Sequence, residues 1–496
     1  MPSPSPSPSP SPSSSSSVRP RSPEVHETHV SILFFSGDTV AKVRKPVRFE
    51  FADFSDLESR RIDCEREVAL NRRLAPDVYR GTATVTLDGE ALEHVVLMRR
   101  LPADRNLGHL VRSGRPVSAE LYQVVDRLVD FHRRAERSPA ISASATPAAL
   151  LARWNATAGE ASRFVGTFLH RSLQQQVDHL AERYLAGRGD LLAGRVESGH
   201  VCDGHGDLLA DDIFCLDDGP RILDCLEFDD SLRYGDVLAD VGFLAMDLER
   251  LGAPEVARQL LGRYEEVSGS AMPTSLAHFY VAARAQVRML VACLRAEQDP
   301  GSEDAGGAAR QLERLCHRHL RQGRVRVVLV GGLPGTGKST LAADLGHVLS
   351  AQVISTDRVR REMGSALGDE RYGPGAKLAV YDALLSRART CLRMGASVVL
   401  DASWIDAPTR GRAAELARLT GSDLQELRCR CEPGIARERI ERRSRRGDSD
   451  SEATVAVATR MAEEADPWPS ASVIDTSGPK GDGLREARAA LDPPEP

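Results

Sequence analysis

The chain has 496 residues, 41% of them apolar, and a formal net charge of −6. That length is too great for one hydrophobic core and predicts several domains. The acidic balance, with a pI near 6.2, excludes a global basic field that would recruit nucleic acid or an anionic membrane. No apolar run approaches the roughly 18 residues of a membrane span.

Residues 1–24 alternate Pro and Ser, cannot bury apolar area and read as a disordered tail without a signal-peptide pattern. Order is expected from Val25. The stretch "THVSILFFSGDTVAKVRKPVRF" predicts a strand pair turning at 36–38. Residues 55–74 have helical periodicity, with Ser55 as the expected N-cap. "EHVVLMRRL" returns to strand. Helical patterns fill about 117–193, strand-like pieces fall at 213–216 and 221–226, and helices follow to about 320. Strands first and helices second predict an α+β domain over 25–320. The Gly-rich acidic stretch 297–308 reads as a loop or linker. From 321 to 480, strands at 351–355, 396–400, 424–430 and 471–474 alternate with helices, as in an α/β domain with a parallel sheet. Residues 481–496 are expected to be a flexible tail. The nine cysteines form no CxxC pair, so neither a zinc knuckle nor a disulfide framework is indicated, and reduced cytoplasmic thiols are expected.

Gly332, Leu333, Pro334, Gly335, Thr336, Gly337, Lys338 and Ser339, followed by Thr340, fit G-x-x-x-x-G-K-[ST]. An apolar strand precedes the motif and a helical pattern follows it, the context a phosphate loop requires. Glycines let backbone N–H groups turn toward phosphates, Lys338 is placed to reach the β- and γ-phosphates, and the Ser339 hydroxyl is placed for Mg2+. Asp357 stands just past the next strand, with Arg361 a helical turn on. It is a general base, an outer-shell acid for Mg2+ or a helix N-cap. Asp401 ends a third strand, at the same ligand edge, and can act on Mg2+ through water. Arg439, Arg442 or Arg443, and Arg446 share one helix face, as charge neutralisers over ATP or as a solvated basic helix paired with "DSDSE".

These residues ("GGLPGTGKST", "STDRVRRE", "VVLDAS" and the Arg-rich helix) resemble the small P-loop kinase group of gluconate kinase, chloramphenicol phosphotransferase, polynucleotide kinase and zeta toxin. The resemblance implies ATP-dependent phosphorylation of a hydroxyl without naming the hydroxyl.

Upstream, residues 201–230 hold ten Asp or Glu. A kinase-type lobe needs one Asp to accept the acceptor's proton, and a residue five positions on plus a later Asp to hold Mg2+. "HGDLLADDI" supplies Asp207 and Asp212, and "ILDCLEF" supplies Asp224. Lys42 (or Lys45) and Glu67 offer the ion pair that orients the α- and β-phosphates. Met98, within Val96–Leu101, falls where a hinge meets adenine. Asp236 in "YGDVLAD" is expected to brace the catalytic loop. His205 is expected to pack and hydrogen-bond within that loop, and His132 to be structural.

In this order the parts resemble the aminoglycoside phosphotransferase branch of the kinase fold. The whole chain resembles two-domain bacterial proteins labelled bifunctional aminoglycoside phosphotransferase/ATP-binding protein. Two positions depart from the family's HGDLHxxN: Leu209 and Asp212 stand for His and Asn, and "FFSGDTV" has a single Gly where a G-x-G-x-x-G loop is usual. The expectation is a phosphotransferase using ATP and Mg2+ on a small-molecule hydroxyl. The alternatives are an ATP-binding regulator with an inactive N-terminal lobe and a polynucleotide 5′-hydroxyl kinase. Nucleic acid and membrane are not expected partners, and the oligomeric state is open.

Overall fold

The computed structural model describes residues 24–28, 30–48, 53–298, 303–364, 373–446 and 454–492. The Pro/Ser tail up to residue 23 and the run "DSDSE" lie outside the described residues. The chain divides into two compact units, one ending at Pro102 and the other beginning at Ala103.

The first unit is an antiparallel sheet in the order β1-β2-β3-β5-β4. Its strands are β1 (Glu24–Glu27), β2 (Ser31–Ser36), β3 (Thr39–Arg44), β4 (Tyr79–Leu87) and β5 (Glu90–Arg99). The sequence reading missed β4. Its signal was Asp88-Gly89, both at positive φ (52° and 89°), the two-residue turn that matches strand twist in a hairpin. The helix Leu57–Asn71 is capped by Asp56, whose carboxylate accepts from Ser59 N at 2.8 Å. The expected cap, Ser55, is instead turned toward Asp53 at 2.6 Å, because the carboxylate one residue later reaches the free N–H of the first turn.

The second unit begins with helices and two small ribbons. β6 (Val201–Asp203) pairs with β9 (Tyr234–Asp236), and β7 (Ile213–Leu216) with β8 (Gly219–Ile222). The strand expected to run to residue 226 stops at Ile222. Asp224 takes φ +62°, a left-handed conformation incompatible with a continuing ladder. The expected linker at 297–308 is mostly helix: Thr274–Gln298 and Glu303–Gln322 flank it.

The rest of this unit is a five-stranded sheet in the order β11-β12-β10-β13-β14, with every pairing parallel. The strands are β10 (Arg326–Gly331), β11 (Gln352–Ser355), β12 (Val398–Asp401), β13 (Asp423–Arg430) and β14 (Ser472–Asp475). Helices on the two faces explain the continuous apolar runs Val327–Val330 and Val398–Leu400, all fully buried. Residues expected as a flexible tail form the helix Lys480–Leu491. Ala487 and Leu491 share one helix face and sit in the same core as Val328, Leu345 and Ile474, which holds the helix in place. Among the described residues, no helix is long and apolar enough to cross a membrane.

The helices before residue 322 and the parallel sheet pack against each other inside this unit. Arg188 is fully buried between them. Its guanidinium donates to the carbonyls of Leu392 at 2.6 Å and Thr420 at 3.0 Å. A Cβ on Gly187 would collide with the Thr420 carbonyl, so the close approach requires glycine there.

Candidate active sites

The phosphate loop lies between β10 and the helix Lys338–Val348. Gly332, Gly335 and Gly337 all have positive φ, at 141°, 84° and 80°. At Gly335 a Cβ would also stand 2.5 Å from the Ala436 carbonyl. All three positions therefore need glycine for conformation, and Gly332 and Gly335 need it for space as well. Leu333 accepts two bonds from Thr336, one from its amide at 3.3 Å and one from its hydroxyl at 2.8 Å. They close the loop over Pro334. Thr476, just past β14, donates to the Thr336 carbonyl at 2.6 Å and fixes the loop from the far edge.

A cleft of about 750 Å³ opens above this loop and contains Lys338, Ser339, Thr340, Asp357, Asp401, Arg439 and Arg443. The sequence reading had named all seven, and the fold brings them together. Asp401 ends β12, is 5% exposed, and hydrogen-bonds the Ser339 side chain. Burial pushes its carboxyl up, Lys338 and Ser339 pull it back, and its Oδ1 has no hydrogen-bond partner. A buried carboxylate oxygen left unsatisfied beside a serine hydroxyl fits a divalent cation, which takes oxygen ligands. Asp357 is not the N-cap of its helix: Ser355 caps, accepting from Asp357 N at 3.2 Å. Asp357 instead pairs with Arg360 at 3.1 Å. Arg439 Nη2 donates to the Thr476 carbonyl at 2.8 Å, and its buried Nη1 has no partner among the described residues. The side chain of Arg446 lies outside the described residues. Sequence reasoning missed Asp344, Thr476 and Lys480, which also line the cleft. Lys480 was hidden by taking the terminal helix for a tail.

In the first unit, Lys42 Nζ meets Glu67 Oε1 at 2.7 Å, and Arg44 Nη2 meets Oε2 at 2.8 Å. Glu67 is fully buried. Lys45 pairs with Glu27 at 2.6 Å, so Lys42 is the lysine that faces the helix. Met98 packs in the core of this unit, in β5 between Val40 and Tyr79.

In the second unit the HGD segment leaves β6. His205 is fully buried; its N–H donates to Asp240 Oδ2 at 2.6 Å and its Nε2 lies 3.0 Å from the Leu223 carbonyl. Gly206 N also donates to Asp240, at 2.9 Å. His132 reaches the same carboxylate at 3.3 Å and Tyr264 at 2.8 Å, in the structural role expected of it. Asp240 is thus the brace of the loop. Burial works against its charge, but the His132 and loop N–H bonds hold its carboxyl well below the usual range. Asp236, the expected brace, instead caps the helix Val237–Arg250 and forms a bidentate pair with Arg195 at 2.7 Å. Four residues, one helical turn, separate the two acids, so the motif alone did not distinguish them. Asp247, one further turn pair along, accepts from Ala210 N at 2.9 Å and was likewise missed.

Asp207, Asp212 and Asp224 lie close enough to interact electrostatically. Burial, together with the Asp224 and Asp247 charges, pushes the Asp207 carboxyl up to about 6, although Arg288 pulls the other way. Asp212 is driven well above the carboxylate range by burial, then by Asp224 and Asp207. Crowded carboxylates of this kind fit a divalent cation, whose charge would relieve the repulsion. The direction of this shift fixes a sign. Below about pH 6 Asp207 carries a proton and cannot accept another. In the metal-free protein the Asp207 carboxyl is expected to titrate through about pH 6, followed by carboxyl NMR shifts with Asp207→Asn as the assignment control. A titration at about pH 4, the ordinary carboxylate range, would refute that.

The two halves of the fold have separate counterparts. Residues 51–279 match the model of the Phosphotransferase enzyme family, and residues 327–468 match that of the AAA domain. The first half is therefore kinase-like in the manner of aminoglycoside phosphotransferases, and the second is a P-loop kinase domain. Over 474 residues, 94% of each chain, the sequence is 39% identical to Uncharacterized protein Rv2004c of Mycobacterium tuberculosis. The chain belongs to the family of that protein. Among solved structures, the GDP and kanamycin complex of APH(2")-IIia aligns with 60% of this chain and 94% of its own, at 16% identity and TM-score 0.40. The Mycobacterium tuberculosis APS kinase CysC, in complex with AMPPNP and APS, aligns with 34% of this chain and 98% of its own, at 20% identity and TM-score 0.28.

Proposed function

We propose that this phosphotransferase uses ATP and Mg2+ to phosphorylate a hydroxyl of a small molecule, with the P-loop cleft as its principal site and the HGD loop as a second. The observation that carries the reading is the arrangement of Lys338, Ser339 and the unsatisfied Asp401 oxygen around one cleft. Ser339 and Asp401 would hold Mg2+ there; Asp212 and Asp224 would hold it in the other domain. The ion supplies charge neutralisation for the phosphates. Lys338 and the loop amides bind phosphate oxygens, and Arg439, anchored on Thr476, adds a donor over the cleft. Asp357 accepts the acceptor's proton in the P-loop domain, and Asp207 does so in the other. Lys42, oriented by Glu67, binds the α- and β-phosphates in the N-terminal domain. The nine cysteines are all unpaired, which supports a cytoplasmic setting, and the reading calls for neither nucleic acid nor membrane.

The crowding of Asp207, Asp212 and Asp224 favours a second reading for that domain alone: a regulator that binds ATP without transferring phosphate. Labelled [γ-32P]ATP, offered with pools of sugars, aminoglycosides and nucleosides, separates the two. Label is expected on a small molecule, only with Mg2+ present, and Lys338→Ala or Asp207→Asn identifies the domain responsible. ATP binding without label transfer across every pool would sink the phosphotransferase reading and leave the regulator.

A further inference from the structure

The helix Thr274–Gln298 carries Arg284, Arg288 and Arg295. Their spacing of four and then seven residues puts all three on one helix face. That face looks toward the HGD loop. Arg288 Nη1 lies 3.7 Å from Asp207 Oδ1, and the charges of Arg284 and Arg295 are both felt by Asp207. Arg153 joins them from the helix Pro147–Ala161, close enough to Arg284 for the two to repel. Three guanidinium groups therefore gather around one candidate base, with Arg153 next to Arg284.

Their partners leave the charges unbalanced. Arg153 donates to the carbonyls of Tyr234 at 3.2 Å and Ser144 at 2.5 Å. Arg284 donates to the Ala239 carbonyl at 3.2 Å and lies over the Phe243 ring at 5.0 Å. Among the described residues, no carboxylate lies within ion-pair distance of Arg153, Arg284 or Arg295, although Asp240 and Asp207 act on Arg284 and Asp207 on Arg295 from further away, and Arg288 has only the long contact to Asp207. Burial, and then a neighbouring arginine in two of the three cases, lowers the pKa of Arg153, Arg284 and Arg295. For the half-buried Arg153 and Arg284, a guanidinium without a close carboxylate is costly unless an anion meets it, while Arg295 lies exposed at the end of the stripe. The guanidinium fork matches a carboxylate or phosphate with two parallel hydrogen bonds.

We propose that the acceptor phosphorylated at the HGD loop carries its own anionic group, a carboxylate or a phosphate, held by Arg284, Arg288 and Arg295 beside Asp207. This rests on the reading of Asp207 as the base. The acceptor's hydroxyl oxygen forms a bond to the γ-phosphorus of ATP as the bond to the β,γ-bridging oxygen breaks. The hydroxyl proton passes to Asp207, and ADP leaves with the electron pair. A polycationic acceptor would meet three like charges beside Asp207 and is not the expected substrate.

The test uses the full-length protein saturated with Mg2+ and a non-hydrolysable ATP analogue, so that both nucleotide sites are filled. Inorganic phosphate binding is followed by equilibrium dialysis. Wild type is expected to bind phosphate, with gluconate displacing it and glucose and kanamycin leaving it in place. Arg288→Gln/Arg295→Gln is expected to weaken phosphate at least tenfold with the analogue's affinity unchanged. Arg295→Gln alone, at an exposed side chain with no partner to lose, guards against misfolding and is expected to weaken it severalfold. Phosphate that binds equally well to the double variant overturns the proposal, as does displacement by kanamycin. A loss confined to the analogue's affinity also overturns it, since the stripe would then serve the nucleotide. Asp207→Asn tests the underlying reading separately. It is expected to abolish basal hydrolysis in a Lys338→Ala background while tightening phosphate. Hydrolysis that survives it removes the base, and with it the acceptor assignment, whatever the phosphate result.

Discussion

Lys338→Ala is expected to lower phosphoryl transfer by the P-loop domain about 10²–10³-fold in kcat, the size seen when one transition-state donor is removed from a closed site. The nucleotide itself should bind about tenfold more weakly and still sit in the same place. The reason is the division of labour in the loop. Its amides are aimed by backbone conformation, through Gly332, Gly335 and Gly337 at positive φ, and by the Thr336 bonds to Leu333. None of that depends on the lysine side chain. Ser339 and Asp401 also remain in place. What is lost is a positive charge that the Asp401 carboxylate feels directly and that developing charge on the γ-phosphoryl would feel more strongly. The measurement is single-turnover transfer from labelled ATP, with analogue affinity from calorimetry. A variant that loses affinity and rate by the same small factor would show that Lys338 only binds and does no transition-state work.

The P-loop domain was legible in the sequence because its chemistry is local. The motif, the strand before it and the helix after it are contiguous, and each later acid stands at the end of an apolar run. Parallel strands buried on both faces leave such runs, so Asp357 and Asp401 could be placed at the ligand edge from pattern alone. Its far wall was not legible. Thr476 and Lys480 reach the cleft through a strand and helix near the chain end, where a Lys/Gly/Asp-rich start disguised the apolar face of Ala487 and Leu491.

The HGD domain was legible as an order of parts and less so as a set of contacts. Lys42 and Glu67 were found, and their 2.7 Å pair follows from a strand and helix that pack locally. The brace was misassigned because Asp236 and Asp240 both fit, and the choice is made by where the helix Val237–Arg250 enters. A helix starting at Val237 uses Asp236 as its cap and turns Asp240 inward to His205 and Gly206. Gly204 records the same contact: a Cβ there would stand 2.5 Å from the Asp240 carboxylate. The arginine stripe beside Asp207 was invisible for a related reason. Its residues look like solvated charges on a long helix until the fold shows which side they face.

Arg188→Ala is expected to destabilise the second unit by about 3–5 kcal/mol, from the truncation of a large buried side chain and the loss of the donor to two buried carbonyls. Arg188 is fully buried, and its guanidinium crosses from the helices to the parallel-sheet domain. Burial lowers its pKa to about 10, so it stays charged at neutral pH. Its compensation comes from the carbonyls of Leu392 at 2.6 Å, Gly187 at 2.8 Å and Thr420 at 3.0 Å and from the Tyr184 ring at 5.4 Å. Truncation leaves a cavity and two cross-domain carbonyls without a donor, where water has no direct access. Nearby contacts do not replace it. Arg183 pairs with Asp423 at 2.6 Å and Ser275 donates to the Gly395 carbonyl at 2.8 Å, but neither reaches the Leu392 or Thr420 carbonyl. The seam, more than either domain's core, should therefore fail first. Thermal unfolding by calorimetry is expected to show the helical and parallel-sheet segments melting together in the wild type and separating in Arg188→Ala, with the P-loop domain retaining nucleotide binding after the first step. Arg188→Met, which restores volume without donors, should recover only part of the loss. Full recovery by methionine would mean that packing, and not the hydrogen bonds across the seam, joins the two domains.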